Sequence, residues 1–183
     1  AGPAPSYAVA FHGGAGVIPR SIDGSPYREA LSRICREAAA VAEEEASSGA
    51  ENAALNVAHR VCMLLEDCEL FNAGRGCVFT AEGTHEMEAS IMDGTTKACG
   101  AVSLLSNVRN PITVARLAME RTRHIYLAGD GAARLAEAHG VETAADEYFY
   151  SEKRWQQLLE ARKTGQTARD HDLLDGKDAE SGG

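Results

Sequence analysis

The sequence predicts an α+β fold in which helices dress a small sheet, and three observations point to it. "HEMEASIMDG" alternates polar and apolar residues at a period of two, which marks a half-buried strand. Several longer segments repeat apolar residues three and four apart, which marks amphipathic helices. The strands that can be counted are too few to close a sheet. An open, apolar sheet edge needs a covering partner, so the chain is expected to form part of a larger unit.

The elements follow in order. "YAVAF", Tyr7 to Phe11, reads as a buried strand, followed by the loop "HGGAGVIP". Ser25-Pro26 reads as a cap with Pro in the first turn of a helix that stops at Gly49. Ala30, Leu31, Ile34, Ala38 and Val41 share one face of it. A second helix, "NAALNVAHRVCMLLED", carries the stripe Ala54, Leu55, Ala58, Val61, Cys62 and Leu65. In the strand that follows, Met87, Ala89 and Ile91 face one way and Glu86, Glu88 and Ser90 the other. "DGTTKACG" turns it back into the apolar strand "CGAVSLL", giving an antiparallel hairpin. Asn110-Pro111 opens the helix "PITVARLAMERT", with Asn as cap. "DGAARLAEAHG" is a short helix, and "SEKRWQQLLEARKTG" another with Trp155, Leu158 and Leu159 on one side. Residues 1–164 read as one domain body, and the polar, Gly/Asp-rich stretch from Gly165 to Gly183 as a flexible tail.

Composition narrows the function. The 183 residues suit one domain, 44% of them hydrophobic but only 5% aromatic, so small aliphatic side chains do most of the packing. A formal net charge of −9 argues against nucleic acid or an anionic membrane as partner. No apolar run approaches the roughly 20 residues of a membrane span, and the first residues lack the basic region and apolar core of a signal peptide. The five cysteines have no CxxC spacing and read as reduced, buried thiols of a cytoplasmic protein, without a structural zinc.

Candidate sites are few. Gly13-Gly14-Ala15-Gly16 follows the first strand, but GxGxxG fails because Pro19 stands where its last glycine belongs. Either a tight turn or the close approach of backbone to a reacting group explains these glycines. His85, Glu86 and Glu88 do not share a strand face, and no HExxH occurs. Asn72 sits in a loop between Phe71 and Ala73-Gly74. Its neutral amide either serves its own turn or donates and accepts at a site. The turn-rich stretch from Leu65 to Arg75 is able to bring carbonyl oxygens together, which suits a hard cation. No Ser-His-Asp spacing or GxSxG stands out, so a complete catalytic apparatus is missing.

"HGGAG", "LEDCELFNAGRGCVFT", "EMEASIMDG" and "CGAVSLLSNVRNPITVARLAME" together resemble the α subunit of the plant-type L-asparaginase/isoaspartyl peptidase family of N-terminal-nucleophile hydrolases. The resemblance runs over residues 7 to 165. It implies a four-layer αββα sandwich completed by a β subunit, and a precursor that cuts itself before a Thr. Gly183, at the end of "AESGG", would be the scissile end. The nucleophilic Thr, the substrate-holding groups and the oxyanion donors would then lie on the β chain. By the same resemblance Asn72 supports the placement of the nucleophile, and Gly13 and Gly14 assist self-cleavage. Main-chain carbonyls of Leu65, Glu66, Cys68, Phe71, Ala73 and Arg75 would wrap a structural sodium ion. The "SNVRNPI" loop resembles one that binds activating potassium in some members, and no organic cofactor is implied. The implied substrates are L-asparagine and β-aspartyl peptides, and the implied assembly is (αβ)2. Glycosylasparaginase, a taspase-like protease, and an inactive scaffold of the same fold are the alternatives.

Overall fold

The computed structural model describes residues 7–14 and 23–165. Six helices and three strands follow one another among them: α1 (Ser25–Ser48), α2 (Ala53–Glu66), β1 (Met87–Met92), β2 (Cys99–Leu105), α3 (Pro111–Arg121), β3 (Tyr126–Ala128), α4 (Asp130–Ala138), α5 (Asp146–Phe149) and α6 (Glu152–Thr164). A single turn of 3-10 helix spans Gly74–Gly76.

The boundaries read from the sequence hold closely for α1, which stops where Gly49 turns left-handed at φ 67. Ala30, Ile34, Ala38 and Ala42 form its buried face. Complete burial of a side chain such as Ile34 is worth about 2–3 kcal/mol. The expected stripe on α2 is only half right. Leu55 and Val61 are buried, but Ala54 and Ala58 are exposed, while Val57 and Leu64 go inside. The reason is that α2 has two packing faces. Val57, Val61 and Leu64 meet α1, whereas Leu55 joins the core around α3.

β1 and β2 pair antiparallel, as their sequences predict, with Ala89 opposite Val102 and Ile91 opposite Gly100. Asp93 shapes their turn by accepting the amides of Thr95 and Thr96 at 3.0 and 3.1 Å. A bulge between Met87 and Ala89 shifts the register, and Leu104 beside it has φ 55. β3 was not foreseen. It lies parallel to β2, so β2, α3 and β3 make one crossover unit in a sheet of order β1-β2-β3. α3 closes one face of this sheet, and Val102, Leu105, Ile112, Val114 and Ala115 make its core.

The segment Tyr7–Phe11 corrects the expected buried strand. It forms no ladder, and Tyr7 and Val9 are 45% and 37% exposed. A strand needs a neighbour for its amides and carbonyls, and none of the described residues supplies one. The segment instead borders an open apolar groove floored by Val57, Val61 and Leu65 of α2. On α6, Leu158 is buried as expected, but Leu159 is 39% exposed and Arg154 and Gln157 go inside. The tail from 166 to 183 lies outside the described residues.

Gly100 permits the closest approach between the sheet and α3. A Cβ there would overlap the Ala115 carbonyl and sit 2.6 Å from the Met119 amide, both backbone atoms that cannot swing away. Gly100→Val is expected to lower unfolding stability by about 3 kcal/mol or more, measured by urea denaturation against the wild type.

Candidate functional site

The site is built where α2 ends. Asp67 caps the helix with its amide bonded to the Met63 carbonyl, and the chain then coils through a series of tight turns. Cys68 bonds back to Leu65, Phe71 to Cys68, Ala73 to Phe71 and Gly76 to Ala73, at 2.9 to 3.2 Å. Two glycines make this coil possible. Gly74 has φ +51, and a Cβ on it would lie 2.5 Å from the Glu66 carbonyl oxygen. A Cβ on Gly76 would overlap the Phe71 carbonyl and stand 2.7 Å from that of Glu69. Carbonyl oxygens therefore crowd the inside of the loop, held there by turn bonds rather than by any side chain.

The carbonyls expected to hold sodium all lie on this coil. Cys68, Phe71 and Ala73 each accept one backbone amide through their carbonyls, which leaves each a second lone pair, while the Leu65 carbonyl accepts the amides of both Asp67 and Cys68. The carbonyls of Glu66 and Arg75 receive no amide among the described residues. Their hardness and neutrality suit a monovalent cation better than a transition metal.

Gly13 and Gly14 come to the same place from the other side. A Cβ on Gly13 would run into the buried Phe71 ring, so this glycine serves close approach. Gly14, at φ +130, serves the turn, and its amide bonds to His12 Nδ1 at 3.2 Å. Gly14 thus shows the tight turn, and the close approach at Gly13 is to the Phe71 ring. Asn72 is exposed and uses its Oδ1 to accept the Val78 amide at 3.0 Å, so its carbonyl end serves the turn. Gly183, the expected scissile end, lies outside the described residues.

The sequence reading used Glu66 only for its main chain, yet its side chain is the more informative part. The carboxylate is 5% exposed and accepts the Ile112 amide at the start of α3 at 2.9 Å, while Oε2 has no hydrogen-bond partner. Glu66 thus does the capping expected of Asn110, whose side chain turns to Asp67 instead. The sequence carried a signal for this. An acid in the last turn of a helix opposes the helix dipole, so it calls for a partner elsewhere, here the positive end of α3. Asp67 gathers a second set of contacts on Oδ1, from Arg109 at 3.2 Å and Tyr148 at 3.0 Å. The Tyr148 ring is flanked by the guanidinium groups of Arg75 and Arg109. The first turn of α3 and the approach to α5 are in this way tied to the coil.

Burial pushes the Glu66 carboxyl up from 4.5 to about 7, with the Ile112 amide and Asn110 acting in the opposite sense. The folded protein therefore holds this proton more tightly than the unfolded chain does. The group's contribution to stability is whole below pH 4.5 and is lost as pH rises through 7. In sodium-free buffer, wild-type unfolding stability is expected to fall between pH 5 and pH 8 by up to about 3 kcal/mol more than that of Glu66→Gln. Urea titrations at the two pH values check this.

Comparison with known proteins completes the picture. The family model described as Asparaginase matches residues 5–181. The chain is 44% identical to an isoaspartyl peptidase of Escherichia coli over 167 residues, which is 89% of this chain and 50% of that protein. It is 38% identical to an isoaspartyl peptidase/L-asparaginase of Xenopus laevis over 82% of this chain and 48% of that protein. It is 36% identical to a plant-type L-asparaginase of Pyrococcus abyssi over 87% of this chain and 50% of that protein. The chain spans about half the length of these relatives.

Proposed function

The chain belongs to the asparaginase family, and from that premise we propose that it is the α portion of a self-cleaving amidohydrolase acting on L-asparagine and β-aspartyl peptides. Its relatives named isoaspartyl peptidase and L-asparaginase carry this reading. The mixed helix-and-sheet body, with its unpaired segment Tyr7–Phe11, supports a β portion from the same precursor and a four-layer sandwich formed by the two.

In this reading the nucleophile is the hydroxyl of a Thr that becomes N-terminal on the β portion when the precursor is cut. Its own α-amine, with a pKa near about 8, acts as base. The hydroxyl attacks the side-chain amide carbonyl of asparagine, or the β-linked amide of an isoaspartyl peptide, and ammonia or the peptide amine leaves. Water then releases aspartate from the acyl-enzyme. Each donor to the oxyanion contributes about 3 kcal/mol to the transition state.

The residues of this chain act by placement. The coil from Leu65 to Arg75 would hold sodium through the carbonyls of Leu65, Glu66, Cys68, Phe71, Ala73 and Arg75, and the ion would supply rigidity rather than chemistry. Asn72, fixed through Oδ1, leaves its amide N–H groups to help seat the Thr. Gly13 brings the "HGG" segment against Phe71, one residue from Asn72. Potassium activation through the loop at 106–112, an (αβ)2 assembly and a cytoplasmic location belong to the same proposal.

Purified protein is expected to release ammonia from L-asparagine and aspartate from β-aspartyl dipeptides. Release of neither would contradict the reading and favour a scaffold that keeps the fold. Asn72→Ala is expected to slow self-processing or turnover about tenfold, a loss of roughly 1.4 kcal/mol of positioning. Gel analysis of chain cleavage and a kcat measurement check it, and unchanged rates of both remove Asn72 from the site.

A further inference from the structure

A second concavity lies away from the coil, bounded by the loop before β1, the end of β2, α5 and the start of α6. It measures about 660 Å³, within the usual range of small-molecule sites. One wall is aromatic. Phe79 stands edge-on to Trp155 at 5.3 Å and to Tyr150 at 6.1 Å between ring centroids, with Phe149 behind. The rim carries three carboxylates, Glu86, Asp146 and Glu147, and no Lys or Arg lines it. The Arg162 guanidinium, close to Gly83 of the lining, is turned to the Ala81 carbonyl.

His85 supplies the third component. It lines the cavity although it is only 8% exposed. Its Nδ1 lies 3.3 Å from the Val78 carbonyl oxygen and 3.2 Å from Cys77 Sγ. In the tautomer whose Nδ1–H donates to the Val78 carbonyl, Nε2 is the acceptor of the ring, and it is this tautomer that a donor in the cavity would select. No described residue donates to Nε2. Burial holds the His85 pKa below its ordinary value, which keeps the ring neutral. Phe79 packs against the imidazole at a centroid distance of 4.2 Å and holds the orientation of the ring.

A fixed neutral acceptor, an aromatic wall and an acidic rim have one common complement. We propose that this cavity binds an organic cation bearing N–H groups, such as an alkylguanidinium or alkylammonium side chain. One N–H donates to His85 Nε2, the charge rests against Trp155 and Tyr150, and Glu86, Asp146 and Glu147 compensate it. The inference is independent of the hydrolytic reading, and no part of the amide chemistry is used in it.

Isothermal titration of the purified mature protein with n-butylguanidinium chloride tests it, alongside the fluorescence of Trp155, the only Trp of this chain. Saturable heat with a matching fluorescence change is expected, and 1-butanol should give neither. Glu86→Gln/Glu147→Gln, which changes only exposed side chains, is expected to weaken binding about fivefold. Trp155→Leu should weaken it as well. Absence of saturable heat, equal heat from butanol or from potassium chloride, or an unchanged affinity in the double Gln variant would overturn the proposal. Tetramethylammonium has charge but no N–H, and its binding as tightly as butylguanidinium would overturn the role of His85.

Discussion

The organisation of the site depends on one hydrogen bond, from the Ile112 amide to the Glu66 carboxylate. It joins the C-terminal end of α2 to the N-terminal end of α3, and with them the two main hydrophobic cores. One core lies between α1 and α2, the other between the sheet and α3. The acid is unfavourable at the end of its own helix and favourable at the start of the other, so it is satisfied only when both helices are in place. The coil that carries Asn72 begins at this junction. Its first residues inherit their position from Glu66, and Asp67 adds bonds to Asn110, Arg109 and Tyr148.

Beyond that junction the geometry is made by backbone. Gly74 and Gly76 let carbonyl oxygens approach closer than any side chain would permit, and Gly13 does the same against Phe71. In the proposed enzyme, these residues hold and orient, and the attacking group comes from elsewhere. A placement role of this kind asks for rigidity, which turn bonds and buried contacts supply.

Much of this architecture was legible in the residues. The ends of α1 and of α3, and the β1–β2 hairpin, were readable because Pro, Gly and period-two alternation are local signals, although neither Ser25 nor Asn110 makes the side-chain cap expected of it. The strand expected at Tyr7–Phe11 misled because an apolar run does not by itself supply the neighbouring strand that a ladder needs. β3 was missed because three residues are too short to show a period. The packing of Val57 and Leu64 against α1 and the capping of α3 by Glu66 were missed for a different reason, since both depend on contacts between separate elements, 46 residues apart for Glu66 and Ile112. The coil at Leu65–Arg75 was visible as turn chemistry, yet only the structure places Gly13 upon it. His85 was read beside Glu86 and Glu88 on a strand, but it is buried just before β1, and the rings around it come from Phe79 in the preceding loop and Phe149 of α5.

The central claim is that this chain works as one half of a protein that cuts itself to expose its nucleophile. Intact-mass analysis with N-terminal sequencing of the purified gene product measures this most directly. The account predicts two polypeptides, the second starting with Thr and co-purifying with the first. A single uncut polypeptide that hydrolyses its substrates at full rate would contradict it.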